Sequence, residues 1–94
     1  MSTQHLRNVS IATLEAFLEL AGCKFTGIAG GHAKYFRSDL NRPVIFQTHI
    51  NPVPEFILKN ILRSLGISKK QFWQVLEGKV IIEKRGSQYF LREK

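Results

Sequence analysis

Two stretches of this chain repeat apolar residues at helical spacing and the segment between them does not, an order that limits the architectures open to it. Ile11, Leu14, Phe17, Leu18 and Ala21 form the first stripe, with Ser10 placed as an N-cap and Gly22 as the stop. Phe56, Ile57, Ile61, Leu62 and Leu65 form the second, entered from Asn51-Pro-Val-Pro54 and ended by Gly66. Between them, Lys24-Phe-Thr26 reads as a short extended piece, Gly27 to Gly31 as a loop and His32 to Arg37 as a strand. Ser38 to Arg42 is a turn by composition, and Pro43 to His49 is β-rich with its proline at the first position, where a strand tolerates it. This predicts a three-stranded antiparallel meander. Each helix must bury its stripe and a small sheet offers one apolar face, so both helices are expected on that face, with the other left open.

A third helix is marked by Ser68 as N-cap, Gln71 closing a capping box and Ile67 stapling against Phe72, and it should run to about Glu77 and stop at Gly78. Phe72, Trp73 and Leu76 on it read as core rather than as an exposed contact. Residues 79–94 look like two short strands around Arg85-Gly86-Ser87. A lone hairpin is marginal in water, so this one must dock on the domain, pair with another chain or be partly mobile. Strand addition between two copies, or with a partner, is the expected use of such an edge. The expected fold class is therefore α+β: α-β-β-β-α with a three-stranded antiparallel sheet, plus a third helix and a C-terminal hairpin. The expected units are 1–78 and 79–94.

At 94 residues the chain makes one small domain, without room for a nucleotide-binding half and a substrate domain. Hydrophobic residues at 44 % and charged residues at 22 % argue against wholesale disorder and against a coiled coil. No apolar run approaches the ~20 residues needed to span a bilayer, and Met1 to Arg7 lack the apolar core of a secretory leader. A cytoplasmic location and no membrane partner are expected. The single cysteine, Cys23, excludes an internal disulfide and reads as packing. The formal charge is +7, and residues 24–94 carry thirteen basic groups against five acidic ones. Such a balance fits a phosphate-backbone binder or a protein that meets an acidic partner.

Chemistry concentrates in Gly30-Gly31-His32-Ala33-Lys34-Tyr35. Two glycines let the backbone take unusual dihedrals or approach a ligand closely. Strand periodicity then puts His32 and Lys34 on one face. An imidazole can take or give a proton near cellular pH, and an ammonium beside it can hold a phosphate. RNA cleavage by internal attack of the 2′-hydroxyl asks for that combination, a proton-transfer group and a cation facing the charge that builds on phosphorus. Lys24, Arg37 and Arg42 border the strands and turn, where phosphate contacts are reasonable. Tyr35 and Phe36 fall on opposite faces, so one packs inside while the other is free to stack on a base. His49 ends the third strand on the side of Ile45 and Gln47, and the register decides whether it lies near His32 or far from it. Its competing reading is a polar strand end that caps the loop to Pro52. His5 sits in an N-terminus expected to fray and is assigned no role. Three histidines, one cysteine and no close carboxylate pair do not make a metal site, and neither Walker spacing nor a supported Ser-His-Asp arrangement is present.

With these residues in place, the chain resembles the HicA-type mRNA interferase toxins, small proteins with a double-stranded-RNA-binding-domain-like fold that pair with HicB-type antitoxins. The resemblance runs from about Ser10 to about Glu77. It rests on Ala21-Gly22 ending the first helix, on Phe25, and on the Gly-x-His motif Gly30-Gly31-His32 leading into Lys34-Tyr35. It continues through Thr48-His49-Ile-Asn-Pro52 and the helix Leu58 to Gly66. It implies cleavage of mRNA without a metal or other cofactor, His32 as the catalytic residue, and an antitoxin partner that covers the site. Lys24, Gly30, Gly31, Lys34, Arg37, Arg42 and His49 are the expected RNA contacts. Gly31 departs from the family, in which Ser, Thr or Asp is usual, and offers no hydroxyl or carboxylate to orient the imidazole. The tail after Gly78 lies outside the resemblance.

Two other classes compete. A binding module would hold double-stranded RNA without cutting it, but such modules present a lysine cluster at the start of the second helix, where this chain has Pro52, Pro54 and Glu55 with only Lys59 following. A degenerate toxin kept as an interaction protein is compatible with Gly31.

Overall fold

The computed structural model describes residues 5–94, so the first four residues of the expected 1–78 unit lie outside the described residues. Along the chain come α1 (Ile11–Leu20), β1 (Lys24–Ala29), β2 (His32–Phe36), β3 (Val44–Gln47), α2 (Glu55–Leu65), α3 (Lys69–Leu76), β4 (Val80–Arg85) and β5 (Gln88–Glu93). β1, β2 and β3 form an antiparallel sheet in that order, and β4 and β5 form a separate antiparallel hairpin. The architecture is α+β, with three helices, a three-stranded sheet and a terminal hairpin.

The helix boundaries follow the capping chemistry. The Ser10 side chain accepts from the Thr13 backbone N–H, and at Ser68 both halves of the capping box with Gln71 are formed. α1 closes through a paired C-terminal motif in which Cys23 N–H donates to Leu18 C=O at 2.9 Å and Gly22 N–H donates to Glu19 C=O at 3.1 Å. Gly22 sits at φ +87°, and a Cβ there would meet Tyr89 of β5 at 2.8 Å, so both the turn and the hairpin's approach require glycine.

Burial alternates along β2 and β3: Ala33, Tyr35, Val44 and Phe46 face inward, and Lys34, Phe36, Ile45 and Gln47 face out. The inward face meets Leu14, Phe17 and Leu18 of α1 and Leu58, Ile61 and Leu62 of α2 in one core cluster. α3 wedges into it through the fully buried Phe72, whose ring lies 4.7 Å from Phe17. Trp73 and Leu76 are partly buried against the same cluster, as core residues at this spacing should be.

Three expectations change. The segment Gly27 to Gly31 is not a loop: β1 continues to Ala29, and only Gly30 and Gly31 turn. A bulge between Phe25 and Gly27 interrupts the register, and glycine carries no side chain to display the alternation of a strand. Phe56 lies off the buried stripe of α2, which runs through Leu58, Ile61, Leu62 and Leu65, and is 65 % exposed. The segment before α1 is docked rather than frayed, with Leu6 and Val9 buried, Val53 N–H donating to Val9 C=O and the Trp73 indole N–H donating to His5 C=O at 2.9 Å.

The hairpin of residues 79–94 docks on the domain. Val80 joins the core, Ile82 and Leu91 pack against it, and Tyr89 lies beneath the Arg37 guanidinium at 4.1 Å. Among the described residues no helix is long and apolar enough to cross a membrane.

Candidate functional site

The β1–β2 turn organises the open face of the sheet. Ala29 pairs with His32 across two residues, Gly30 at φ +59° and Gly31 at φ +78°, which is the left-handed pair that a two-residue hairpin of this hand demands. The consecutive glycines are thus explained by the turn itself. Thr48, just past β3, anchors the turn from the other side, donating from its N–H (2.9 Å) and its hydroxyl (3.1 Å) to the Gly31 carbonyl.

His32 is the first residue of β2 and half-buried on the open face, opposite Gln47 of β3. Its Nδ1 lies 3.1 Å from the Gly30 carbonyl oxygen. A carbonyl can only accept, so this bond is made with the proton on Nδ1, which in the neutral ring leaves the lone pair on Nε2. Lys34 follows on the same face and is exposed, opposite Ile45. His49 reaches the same turn: a Cβ on Gly31 would stand 3.7 Å from its Nδ1, so the two histidines flank Gly31. The β2–β3 register, which sequence left open, puts His49 at the His32 end of the sheet.

Not every expected contact joins this group. Lys24 pairs with Phe36 at the opposite end of β2, four residues from His32, or roughly 13 Å along the strand. Arg42 is exposed in the β2–β3 connection at that same far end. Lys24, Lys34 and Arg42 make no ion pair among the described residues. Arg37 does not meet the expectation of a surface phosphate contact. It is 5 % exposed, and each of its three guanidinium nitrogens donates a hydrogen bond inside the protein. Nε and Nη2 donate to the two Asp39 oxygens at 2.6 and 2.8 Å, Nη1 donates to the Ala21 carbonyl at 2.9 Å, and the plane covers Tyr89. The hydrogen bonds from Arg37 hold the Asp39 carboxyl below its ordinary value, against the opposing effect of burial. The group ties the end of α1, the β2–β3 turn and β5 together.

Of the two aromatics left undecided, Tyr35 is buried, stacked on Phe46 at 5.9 Å, and Phe36 is 40 % exposed on the open face. Burial also pushes the Cys23 thiol up from its ordinary value, which suits a packing role. No cluster of three or more His, Cys, Asp or Glu gathers among the described residues.

Sequence reasoning missed the cavity beside His32. It measures about 240 Å³ and is bounded by Gln47, Ile50, Val53, Phe56 and Ile57 as well as by His32. The available signal was Phe56, two positions ahead of Leu58 and therefore off the helical stripe. Compared with protein-family models, curated proteins and solved structures, the chain matches none.

Proposed function

We propose that this chain is the toxin of a toxin–antitoxin pair, a HicA-type endoribonuclease with a double-stranded-RNA-binding-domain-like fold that cleaves mRNA without a metal. The observation that carries the reading is His32, held by Nδ1 on the Gly30 carbonyl on an open sheet face beside Lys34, with Nε2 making no hydrogen bond among the described residues. In the reaction, a ribose 2′-oxygen attacks the adjacent phosphorus, the bond from phosphorus to the 5′-oxygen breaks, and the products are a 2′,3′-cyclic phosphate and a 5′-hydroxyl. Nε2 of His32 is the proton-transfer group, taking the 2′-hydroxyl proton or, in the protonated ring, giving one to the leaving oxygen. Lys34 holds the phosphate as charge accumulates on it. His49, across Gly31, contacts the RNA at the same turn, and Phe36 offers a ring on which a base can stack. In the cell, a HicB-like antitoxin would cover this face.

Induced expression of the parent and of His32→Ala side by side, with growth and bulk mRNA followed, tests the assignment. Growth arrest and mRNA loss are expected only from the parent, and equal arrest by both would remove His32 from the mechanism. One feature favours a non-catalytic RNA-binding or interaction protein instead: among the described residues only a backbone carbonyl bonds the His32 ring, and Gly31 supplies no side chain to orient it. Salt-sensitive RNA binding by the parent, without cleavage or toxicity, would select that reading.

A further inference from the structure

Phe56 is an unusual residue to leave in water. It stands roughly 200° around α2 from Leu58 and is 65 % exposed, the largest exposure among the big apolar side chains of the described residues. It is not isolated: Ile45 at 44 % and Ile50 at 39 % exposure share the same cavity with it. One wall of that cavity is His32, and another is Gln47, the residue paired with His32 across the sheet. Apolar walls, a carboxamide with both a donor and an acceptor, and the proton-transfer group therefore border one space.

We propose that this cavity is a nucleobase subsite that seats the base next to the scissile phosphate, with Phe56 stacked on its face and Gln47 bonded to its edge. The inference rests on the reading of the chain as an RNA-cleaving enzyme and extends it to how the substrate strand is held. The volume, about 240 Å³, lies below the ~300–1,000 Å³ of pockets that enclose drug-sized ligands and suits a single planar ring system. An aliphatic side chain from a protein would fill the apolar part but leave the Gln47 carboxamide without a partner, whereas a base has a polar edge for it. Charge agrees with this choice. Lys34 lies two residues from His32 on the same face, so a nucleotide can place its base in the cavity and its phosphate at Lys34. Glu55, next to Phe56 on the first turn of α2 but not among the residues lining the cavity, is 4.0 Å from the Lys59 ammonium, which offsets its repulsion of phosphate.

The test uses a labelled 2′-O-methyl RNA decamer of mixed sequence, which lacks the attacking hydroxyl and so stays intact, and a decamer of the same length with abasic sugars. The parent should bind the base-bearing strand more tightly than the abasic one, and Phe56→Ala should weaken that binding by roughly 5- to 150-fold. The abasic strand should bind parent and variant alike, and the slope of affinity against salt should not change, because no phosphate contact has been removed. Ile50→Ala is the second variant and should act in the same direction. Phe56 is exposed, so thermal unfolding should show the variant intact. If both variants keep the parent's preference for bases, the cavity is not a base subsite, although the enzyme reading survives. If the parent binds neither strand, the RNA reading and the subsite fail together. A parent dimer that Phe56→Ala dissolves would place a second copy in the cavity and overturn the proposal.

Discussion

Replacing Asp39 by alanine should destabilise this protein by about 2–3 kcal/mol, because the change strands a desolvated cation. The Arg37 side chain is 4 % exposed and that of Asp39 is 28 % exposed, and two parallel N–H to oxygen bonds of 2.6 and 2.8 Å join them. Removing one partner of a buried pair typically costs ~3–5 kcal/mol, most of it from the charge left behind. Here the cost falls to the lower figure or just below it for two reasons. The guanidinium keeps its bond to the Ala21 carbonyl and its place over Tyr89, and the part-exposed Asp39 position admits water to Nε and Nη2. With a urea dependence of ~1–3 kcal/mol per molar, the midpoint should move down by roughly 0.7–3 M. Fluorescence of the single tryptophan, Trp73, reports the transition, since its ring packs edge-on against Phe72 at 5.0 Å.

The pH dependence supplies an independent check. Asp39 has its folded pKa lowered from the ordinary 3.8, first by the hydrogen bonds from Arg37. A depressed folded pKa contributes stability that is fully present above the unfolded value and is lost as pH falls through the folded one. The gap between parent and Asp39→Ala should therefore be constant near neutrality and close as acid protonates Asp39. A midpoint shift below ~0.3 M at an unchanged urea slope, or a gap that widens in acid, would refute the account of Arg37 as a buried latch.

Other outcomes follow from single features. Gly30→Ala should cost about 1–2 kcal/mol through left-handed strain alone, because nothing lies within 4 Å of the added methyl; thermal unfolding measures it, and no loss would mean that the turn relaxes freely. Cys23, buried and with its thiol pushed up, should resist a disulfide reagent in native buffer and react on unfolding in urea, so rapid native labelling would show that the end of α1 opens.

Much of the scaffold was legible because its signals are local. Ser10, Ser68 and Gln71 cap helices through atoms within three residues of themselves, and Gly22, Gly66 and Gly78 end them where the apolar stripes stop. The placement of His32 and Lys34 on one face needed only the two-residue period of a strand. The second half of β1 is not legible along the chain because Gly27 and the bulge beside it erase that period. Arg37 looked like a surface cation because nothing local reveals that a ring 52 positions later, Tyr89, and the Ala21 carbonyl close over it.

By itself, then, the sequence determined the order of helices and strands, the caps that bound them, and the alternation that sends His32 and Lys34 to the same side. These depend on interactions spanning a few residues, which composition and spacing encode directly. Tertiary structure alone decided that His49 meets Gly31, that Arg37 turns inward, that the terminal hairpin docks, and that Phe56 and Ile50 enclose a cavity with His32. Each of these depends on which distant surfaces come together when the shared core around Phe17 and Phe72 is buried, and that choice has no period along the chain.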